Sequence, residues 1–305
     1  MKHTVEEIAA KIDALGLWDE ASRGNWAVCP KGTVFPYFCT VVKEKEGTGP
    51  VKVRLVMVEG WQNFHDFVRT RIDPSFGFYS SPMEISHFEM VFVAEGAGPA
   101  RLFRHDPCYL PRIANDAERA LCSKVLWETY GIMMRLESDS SLPMMFAQEK
   151  AMFARVEDAK GGWSDVALPI PDPRPHVESV RFAKSDLAKA KDLPFAAEEK
   201  LAVDFSLVVG LATKEPRPRC VYRLVAFDVA EKRQVVCDTV SPVPDGGLRD
   251  MWEGIAPRLL SHFIARGRIP GELMMRSQRL FRMLRPLCID VPVKLSLHDS
   301  LPNVC

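Results

Sequence analysis

Apolar and polar residues in the first half of the chain follow helical spacing in some stretches and strand spacing in others. Thr4 and Glu7 form a capping box, and apolar residues then recur every three or four positions up to Gly16, which predicts a first helix. Val51–Val58 alternates apolar and polar residues like a half-buried strand. Asn115 is the predicted cap of a long helix. The same reasoning predicts strands over 34–42 and 87–94, and helices starting near 61 and over 143–156.

The second half has a more regular pattern. Three strands are predicted in quick succession, and two helix–strand pairs follow them, which gives the order β-β-β-α-β-α-β. The predicted strands cover 203–211, 220–228, 234–241, 272–276 and 293–297, and the helices cover 248–265 and the residues after 277. Closely spaced strands pair antiparallel, whereas a helical crossover joins parallel strands. The predicted fold class is therefore α+β, and the second module is a mixed sheet with helices on its faces.

A proline-rich stretch marks the expected boundary between two modules. Pro169, Pro171, Pro173 and Pro175 alternate with other residues, and this pattern suits neither a helix nor an interior strand. We therefore predict an α+β module over 1–160, an extended linker or surface strap over 161–178, and an α/β module over 179–305. The first module repeats the strand–helix order of the second in a looser form, which leaves a diverged internal repeat open.

Composition is that of a protein that folds around apolar cores. Apolar residues make up 47% of the chain and charged residues 26%, which excludes a disordered chain. No apolar stretch approaches the ~20 residues of a membrane-spanning helix, and the first residues lack the apolar core of a signal peptide. These features predict a cytoplasmic protein without a membrane partner. Residues 1–175 hold 20 Lys and Arg against 24 Asp and Glu, and residues 176–305 hold 20 against 16, which favours anions as partners of the second module.

The eight cysteines include no Cys-x-x-Cys pair and mostly lie in apolar runs, so buried free thiols are expected. The stretch that comes nearest to a metal motif, His105–Cys108, lacks a second ligand pair. We therefore predict no metal site and no cofactor. The six tryptophans are expected in the cores, except Trp163, which lies beside Gly161 and Gly162 and could anchor the linker.

Two stretches are similar to known bacterial domains. Residues 271–288, with Lys294-Leu295 and Ser300-Leu301-Pro302 after them, resemble the end of the domain of unknown function 6930. Residues 34–67, with Tyr109-Leu110-Pro111 and 115–118, resemble the domain of unknown function 7309, which often precedes it. The resemblance implies two modules in this order, and it implies no activity, cofactor or catalytic residue.

The strand order of the second module also resembles the ribonuclease H-like fold. Enzymes of that fold use carboxylates at strand ends to hold two metal ions. Asp204 in the first strand and Glu253 in the first helix match two of these positions, but the end of the fourth strand carries Arg276 and Ser277. A cation there opposes metal binding. A degenerate metal-dependent nuclease relative, with Asp204 and Glu253 as vestigial carboxylates, is therefore an alternative.

Arginine is concentrated near the end of the chain. Seven arginines and a single acid, Glu272, occur between Arg258 and Arg285. A candidate anion-binding face consists of Arg276, Ser277, Arg279, Arg282 and Arg285. The alternatives are a solvated helix face, an acidic partner protein, and a nucleic acid or phosphate ligand. Aromatic residues are not interleaved with these arginines, which lowers the expectation of single-strand binding.

Motifs for nucleophilic catalysis and nucleotide binding are missing from the sequence. His65 and Asp66 are neighbours on a predicted helix and point in different directions, so we expect a surface histidine there and no catalytic pair. The leading hypothesis is a cytoplasmic binding or interaction protein without an assembled catalytic site. The sequence favours a protein that is not an enzyme, and it leaves an enzymatic role open.

Overall fold

The chain folds into two units in the computed structural model. The amino-terminal unit comprises Met1–Phe67, Ile85–Asp106 and Pro111–Arg174, and the carboxy-terminal unit comprises Val68–Glu84, Pro107–Leu110 and Pro175–Cys305. The structure describes residues 3–45, 51–72, 84–92, 99–136, 138–139, 142, 150–176, 179–243 and 247–301. The predicted α+β class is confirmed, and each unit has its own mixed sheet.

The helices α1 (Val5–Leu15), α3 (Trp61–Ile72) and α4 (Asp116–Arg135) begin where the sequence predicts. The short helix α2 (Trp18–Ala21) was not predicted. The backbone N–H of Glu7 donates to the Thr4 hydroxyl at 3.2 Å, and the Thr4 N–H donates to the Glu7 carboxylate at 2.9 Å. Asn115 and Glu118 form the same reciprocal pair at the start of α4. Both capping boxes satisfy N–H groups that a helix start leaves without partners.

Eight strands form the sheet of the amino-terminal unit, in the order β6-β5-β4-β3-β2-β1-β7-β8. They are β1 (Asn25–Cys29), β2 (Tyr37–Lys45), β3 (Val51–Glu59), β4 (His87–Phe92), β5 (Arg101–His105), β6 (Arg112–Ile113), β7 (Ala151–Glu157) and β8 (Trp163–Pro169). Only β1 and β7 pair in parallel among these strands, and the other pairs are antiparallel.

The two faces of this sheet pack against different helices. Residues of α1 and α4, such as Ile12 and Leu126, share one core with Cys39 of β2. Successive side chains of a strand point to opposite faces. Phe38 accordingly lies on the other face, where it packs against Trp61 and Phe64 of α3. The centroid of its ring is 4.2 Å from that of Trp61 and 4.9 Å from that of Phe64.

Two predictions near the domain boundary need correction. The helix expected over 143–156 is wrong where the structure describes it, because Ala151–Glu157 is strand β7, and residues 143–149 lie outside the described part. The expected linker begins with β8, which pairs with β7 from Trp163 to Pro169. Proline is tolerated there because β8 is the edge strand of the sheet and needs a hydrogen-bonding partner on one side only.

The prolines after β8 run along α3. The backbone N–H of Arg174 donates to Gln62 Oε1 at 2.9 Å, and Gln62 Nε2 donates back to the Arg174 carbonyl at 3.3 Å. His65 Nε2 donates to the carbonyl of Pro171 at 2.9 Å. The stretch is therefore a strap held by hydrogen bonds, and His65 is one of the residues that hold it.

The sheet of the carboxy-terminal unit has five strands in the order β11-β10-β9-β12-β13. They are β9 (Phe195–Ala212), β10 (Cys220–Asp228), β11 (Arg233–Val240), β12 (Ile269–Met275) and β13 (Lys294–Leu297). The helices of the same region are α5 (Lys184–Lys191), α6 (Gly247–Glu253), α7 (Ile255–Arg266), α8 (Gln278–Leu284) and α9 (Leu287–Asp290). β9, β10 and β11 form an antiparallel meander, and β12 and β13 extend the sheet in parallel.

The core of this unit lies between the sheet and its helices. Leu201, Val203 and Phe205 of β9 pack in one cluster with Trp252 of α6 and Phe263 of α7. None of the helices in the described ranges combines the length and the apolar character required to cross a bilayer.

The cysteines whose thiols are described are all free, as expected. Four of them are buried: Cys39, Cys108, Cys122 and Cys220. Cys237 is exposed, because successive side chains of the outer strand β11 point to opposite faces, and its neighbour Val236 is the one that points to the core. Burial raises the pKa of the Cys39 thiol to about 12, so this group stays protonated and inert near neutrality.

Candidate functional site

A cavity of about 500 Å³ opens in the amino-terminal unit. Helix α4 contributes one face to it, formed by Ser123, Lys124, Trp127 and Glu128. Residues one helical turn apart lie on the same side of a helix, which explains why these four converge. The remaining polar and aromatic wall comes from His3, Glu157 and Trp163.

The Trp127 indole and the Trp163 indole both line the cavity. Trp127 is the one that stacks on a second ring. Its side chain is 39% exposed, although the sequence predicts it in the core. The imidazole of His3 stacks on it, with ring centroids 4.7 Å apart and planes inclined by 14°. One face of the Trp127 ring is therefore covered by an imidazole of the chain itself.

Charged groups surround this aromatic surface. The Lys124 ammonium lies 3.5 Å from Glu157 Oε2, which also accepts the backbone N–H of Lys31 at 2.8 Å. Glu128 is only 8% exposed and accepts the Arg155 guanidinium at 2.9 Å. Burial raises the pKa of Glu128 above its ordinary value, although the hydrogen bond and charge of Arg155 act in the opposite direction.

The arrangement is suited to binding. A stacking surface and a few polar groups at fixed positions are the usual composition of a small-ligand site, and a titratable group with a shifted pKa often marks one. Glu128 and Glu157 can accept hydrogen bonds from a ligand, and Lys124 can donate one.

The two carboxylates predicted from the ribonuclease H-like strand order lie in different surroundings. Asp204 in β9 is 8% exposed, and its Oδ1 lies 3.6 Å from the Arg276 guanidinium. Glu253 at the end of α6 accepts the backbone N–H of Ser179 and the Arg249 guanidinium, each at 2.9 Å. In the part of the chain that the structure describes, no hydrogen bond or ion pair joins Asp204 to Glu253. Each carboxylate already has a cation beside it.

The predicted anion-binding face is only partly at the surface. Arg276, Arg282 and Arg285 are exposed, and the Ser277 hydroxyl caps α8 by accepting the Leu280 N–H at 3.2 Å. Arg279 was predicted on the same outer face, and this is wrong, because it is 1% exposed.

Arg279 is buried because the core of the unit offers it two partners. Its guanidinium lies 3.6 Å from the centre of the Trp252 ring and 3.2 Å from Glu84 Oε2. The Tyr222 hydroxyl donates to the other oxygen of Glu84 at 2.6 Å. Arg279 is therefore a core residue of the carboxy-terminal unit.

No protein-family model matches this chain, and no curated protein or solved structure is significantly similar to it. The resemblance to the two domains of unknown function thus stays a prediction.

Sequence reasoning missed the cavity, although one signal for it was present. The buried stripe of α4 contains Val125, Leu126, Ile132 and Met133, and Trp127 falls outside this stripe on a helical projection. A large aromatic residue off the buried face of an amphipathic helix is a candidate for ligand contact. The contribution of His3 and of the β7–β8 hairpin could not be found in this way, because it depends on how distant segments pack.

Proposed function

We propose that the amino-terminal unit binds a small ligand with a planar, nitrogen-containing ring in the cavity beside Trp127. The observation that carries the proposal is the stacked pair of His3 and Trp127 at the wall of this cavity. The protein places its own heterocycle on the indole face, so a free heterocycle of similar shape has a surface that fits it. Aromatic pairs of this kind contribute about 0.5–1.5 kcal/mol beyond the area they bury.

The charged groups around the Trp127 ring would determine how the ligand is oriented in the cavity. Glu128 and Glu157 accept hydrogen bonds, which suits ring N–H and amino groups. Lys124 lies next to Glu157 and can meet a carbonyl or an anionic substituent of the ligand. A nucleobase-like ring, with donors and acceptors along one edge, matches this set.

The proposed role is binding, in line with the leading hypothesis from the sequence. Ligand binding does not need the perturbed and convergent acid–base pair that catalysis requires. Asp204 and Glu253 carry no part of the proposal, and neither does the arginine face.

The test is a titration of the purified protein with adenine, imidazole, indole and benzoate, followed by tryptophan fluorescence and by calorimetry. We expect adenine or imidazole to bind, and Trp127→Leu to weaken that binding about 10-fold. Phe195→Leu is the matched control, because Phe195 is 47% exposed and does not line the cavity.

A second variant tests whether the ligand takes the place of His3. His3→Ala removes the competing imidazole, so we expect the heterocycle to bind about 2- to 10-fold more tightly. Failure of every compound to bind at millimolar concentration, both to the native protein and to His3→Ala, would refute the proposed function. Equal binding by the native protein and Trp127→Leu would place the ligand elsewhere.

A further inference from the structure

A second group of titratable side chains lies in the amino-terminal unit, away from the residues that line the cavity. It consists of His87 and Glu89 of β4 and His105 of β5, which we call the histidine–glutamate cluster. The three residues are 3%, 6% and 7% exposed. One ligand atom from each lies within 4.8 Å of the other two.

Strand register explains why these residues meet. His87 and Glu89 are two positions apart in β4, so their side chains point to the same face of the sheet. His105 is the direct partner of His87 in the antiparallel β4–β5 pair. The edge of the Phe67 ring of α3 lies against His87, with centroids 5.3 Å apart, so the cluster is on the α3 face.

The hydrogen bonds of His87 leave one of its nitrogens available. Its Nδ1 lies 2.8 Å from the carbonyl oxygen of Ile85, and a carbonyl can only accept, so Nδ1 carries the proton. The lone pair of Nε2 is then free to act as a ligand. A backbone carbonyl that fixes the tautomer in this way is the usual outer partner of a metal-binding histidine.

Glu89 and His105 supply the other two donors. His105 Nε2 donates to Glu89 Oε2 at 2.8 Å, and the Arg54 guanidinium forms an ion pair with Glu89 Oε1 at 2.8 Å. Arg54 thus holds one oxygen of the carboxylate, and the other oxygen faces His105.

The cluster is not fully satisfied by protein atoms. His105 Nδ1 is buried, and it has no hydrogen-bonding partner among the described residues. Two imidazoles and one carboxylate form a donor set that binds zinc and other divalent transition metals.

We propose that His87, Glu89 and His105 bind one divalent transition-metal ion, and that Zn²⁺ is the ion to which this donor set is suited. The ion takes the place of the hydrogen between His105 Nε2 and Glu89 Oε2, and the proton moves to His105 Nδ1. Ligands of a tetrahedral zinc ion are about 3.4 Å apart for bonds of about 2.1 Å. Side-chain rotation is therefore enough to assemble the site, and three protein ligands leave one position open.

Binding changes the stacking of the two histidines. Their rings are now nearly parallel, with centroids 4.1 Å apart and planes inclined by 13°. Lone pairs lie in the ring plane, so two parallel rings cannot both point at one ion. One imidazole must turn about its terminal torsion, which has a broad energy profile. This rotation gives the proposal a readout in the native protein.

The first experiment is calorimetry of chelator-treated protein titrated with Zn²⁺, with Co²⁺ as a spectroscopic probe. We expect one ion per chain and the visible absorption of tetrahedral Co²⁺. Glu89→Gln and His105→Gln should weaken binding at least about 100-fold. The matched control is His262→Gln, because His262 also bonds to a carboxylate, Asp238, at 2.7 Å and lies outside the cluster.

The second experiment needs no variant and stays decisive if the variants do not fold. Ring signals of the seven histidines are followed by NMR during the Zn²⁺ titration. Saturable shifts of two rings, assigned to His87 and His105, would support the site. Absence of saturable binding, shifts at other histidines only, or unchanged affinity in folded Glu89→Gln would overturn it.

Discussion

Each unit of the molecule buries a group of ionisable side chains, and the two groups are completed in different ways. In the carboxy-terminal unit, Arg279 and Glu84 are both 1% exposed and form an ion pair, with Tyr222 and Trp252 around them. In the histidine–glutamate cluster, His105 Nδ1 has no hydrogen-bonding partner among the described residues, and Nδ1 of His87 is the nitrogen that faces a carbonyl. The first group is closed in charge, because its cation has a carboxylate beside it, and the second is open to an added cation through the lone pairs of its imidazoles.

The difference follows from charge. A buried guanidinium cannot lose its proton, so it needs a carboxylate at hand. A buried imidazole can become neutral, and it then needs no counter-ion. The fixed charge of Arg279 thus requires a carboxylate from the protein itself. The neutral imidazoles of the histidine–glutamate cluster keep lone pairs that a ligand can use.

The largest effect is expected from Glu84→Gln, which removes the charge opposite Arg279. The variant should lower the free energy of unfolding of the carboxy-terminal unit by about 3–5 kcal/mol, because a buried cation is left without its counter-ion. Urea denaturation measures it. Glu231→Gln is the control, since its pair with Arg233 is exposed, and it should cost less than about 1 kcal/mol. A small effect of Glu84→Gln would mean that Arg279 does not depend on the charge of Glu84 in the folded protein.

The second effect is a pH dependence of the amino-terminal unit in chelator-treated protein. The folded pKa of His87 is about 3 and its ordinary value is 6.5. Below pH 6.5 the unfolded chain therefore binds a proton that the folded chain does not. As far as it depends on His87, the free energy of unfolding should be at its maximum above pH 6.5. It should fall as the pH decreases toward 3, by at most about 1.4 kcal/mol per pH unit.

His87→Gln separates this effect from that of its neighbours. Glu89 adds a loss of the same sign only at lower pH, because its pKa is lowered from 4.5. Denaturation between pH 6.5 and 4.5 should therefore depend less on pH in His87→Gln than in the native protein. An unchanged slope would show that His87 is accessible to protons in the folded state.

A smaller effect is expected from Arg279→Lys, which keeps the charge and removes the planar fork. The lysine ammonium cannot lie flat on Trp252 while it donates to Glu84, so the loss should be about 1–2 kcal/mol. Arg282→Lys on the same helix is the control, because Arg282 is exposed, and it should change stability by less than about 0.5 kcal/mol. Equal losses of stability in the two variants would contradict the packing of Arg279 between Glu84 and Trp252.

Local signals in the sequence predicted the local elements well. The cap at Thr4, the cap at Asn115 and the strand Cys220–Asp228 agree with the structure, because each depends on residues close together in the chain. The predicted meander and its parallel extension are also present in the sheet of residues 195–297. The short strands Arg101–His105 and Asn25–Cys29 were missed, since their pairing partners decide them more than their own composition.

The sites could not be predicted to the same extent. His87 and His105 are 18 positions apart and meet only through the β4–β5 register. Arg279 has the spacing of a surface arginine, and its burial depends on Glu84, which is 195 positions away in the chain. Periodicity shows which face of an element a residue is on, and it does not show which distant segment covers that face.

The smallest effect is expected at the edge of the open cluster, where Arg54 contacts Glu44 as well as Glu89. The Glu44 side chain is 46% exposed, so Glu44→Gln should lower the stability of the amino-terminal unit by only about 0.2–1 kcal/mol. Urea denaturation at low and at high salt measures it, and salt should reduce the difference further. A loss as large as that of Glu84→Gln would mean that Arg54 ties both carboxylates into one closed ion network. Glu89 would then be committed to Arg54, and the cluster would have no carboxylate left to offer a metal ion.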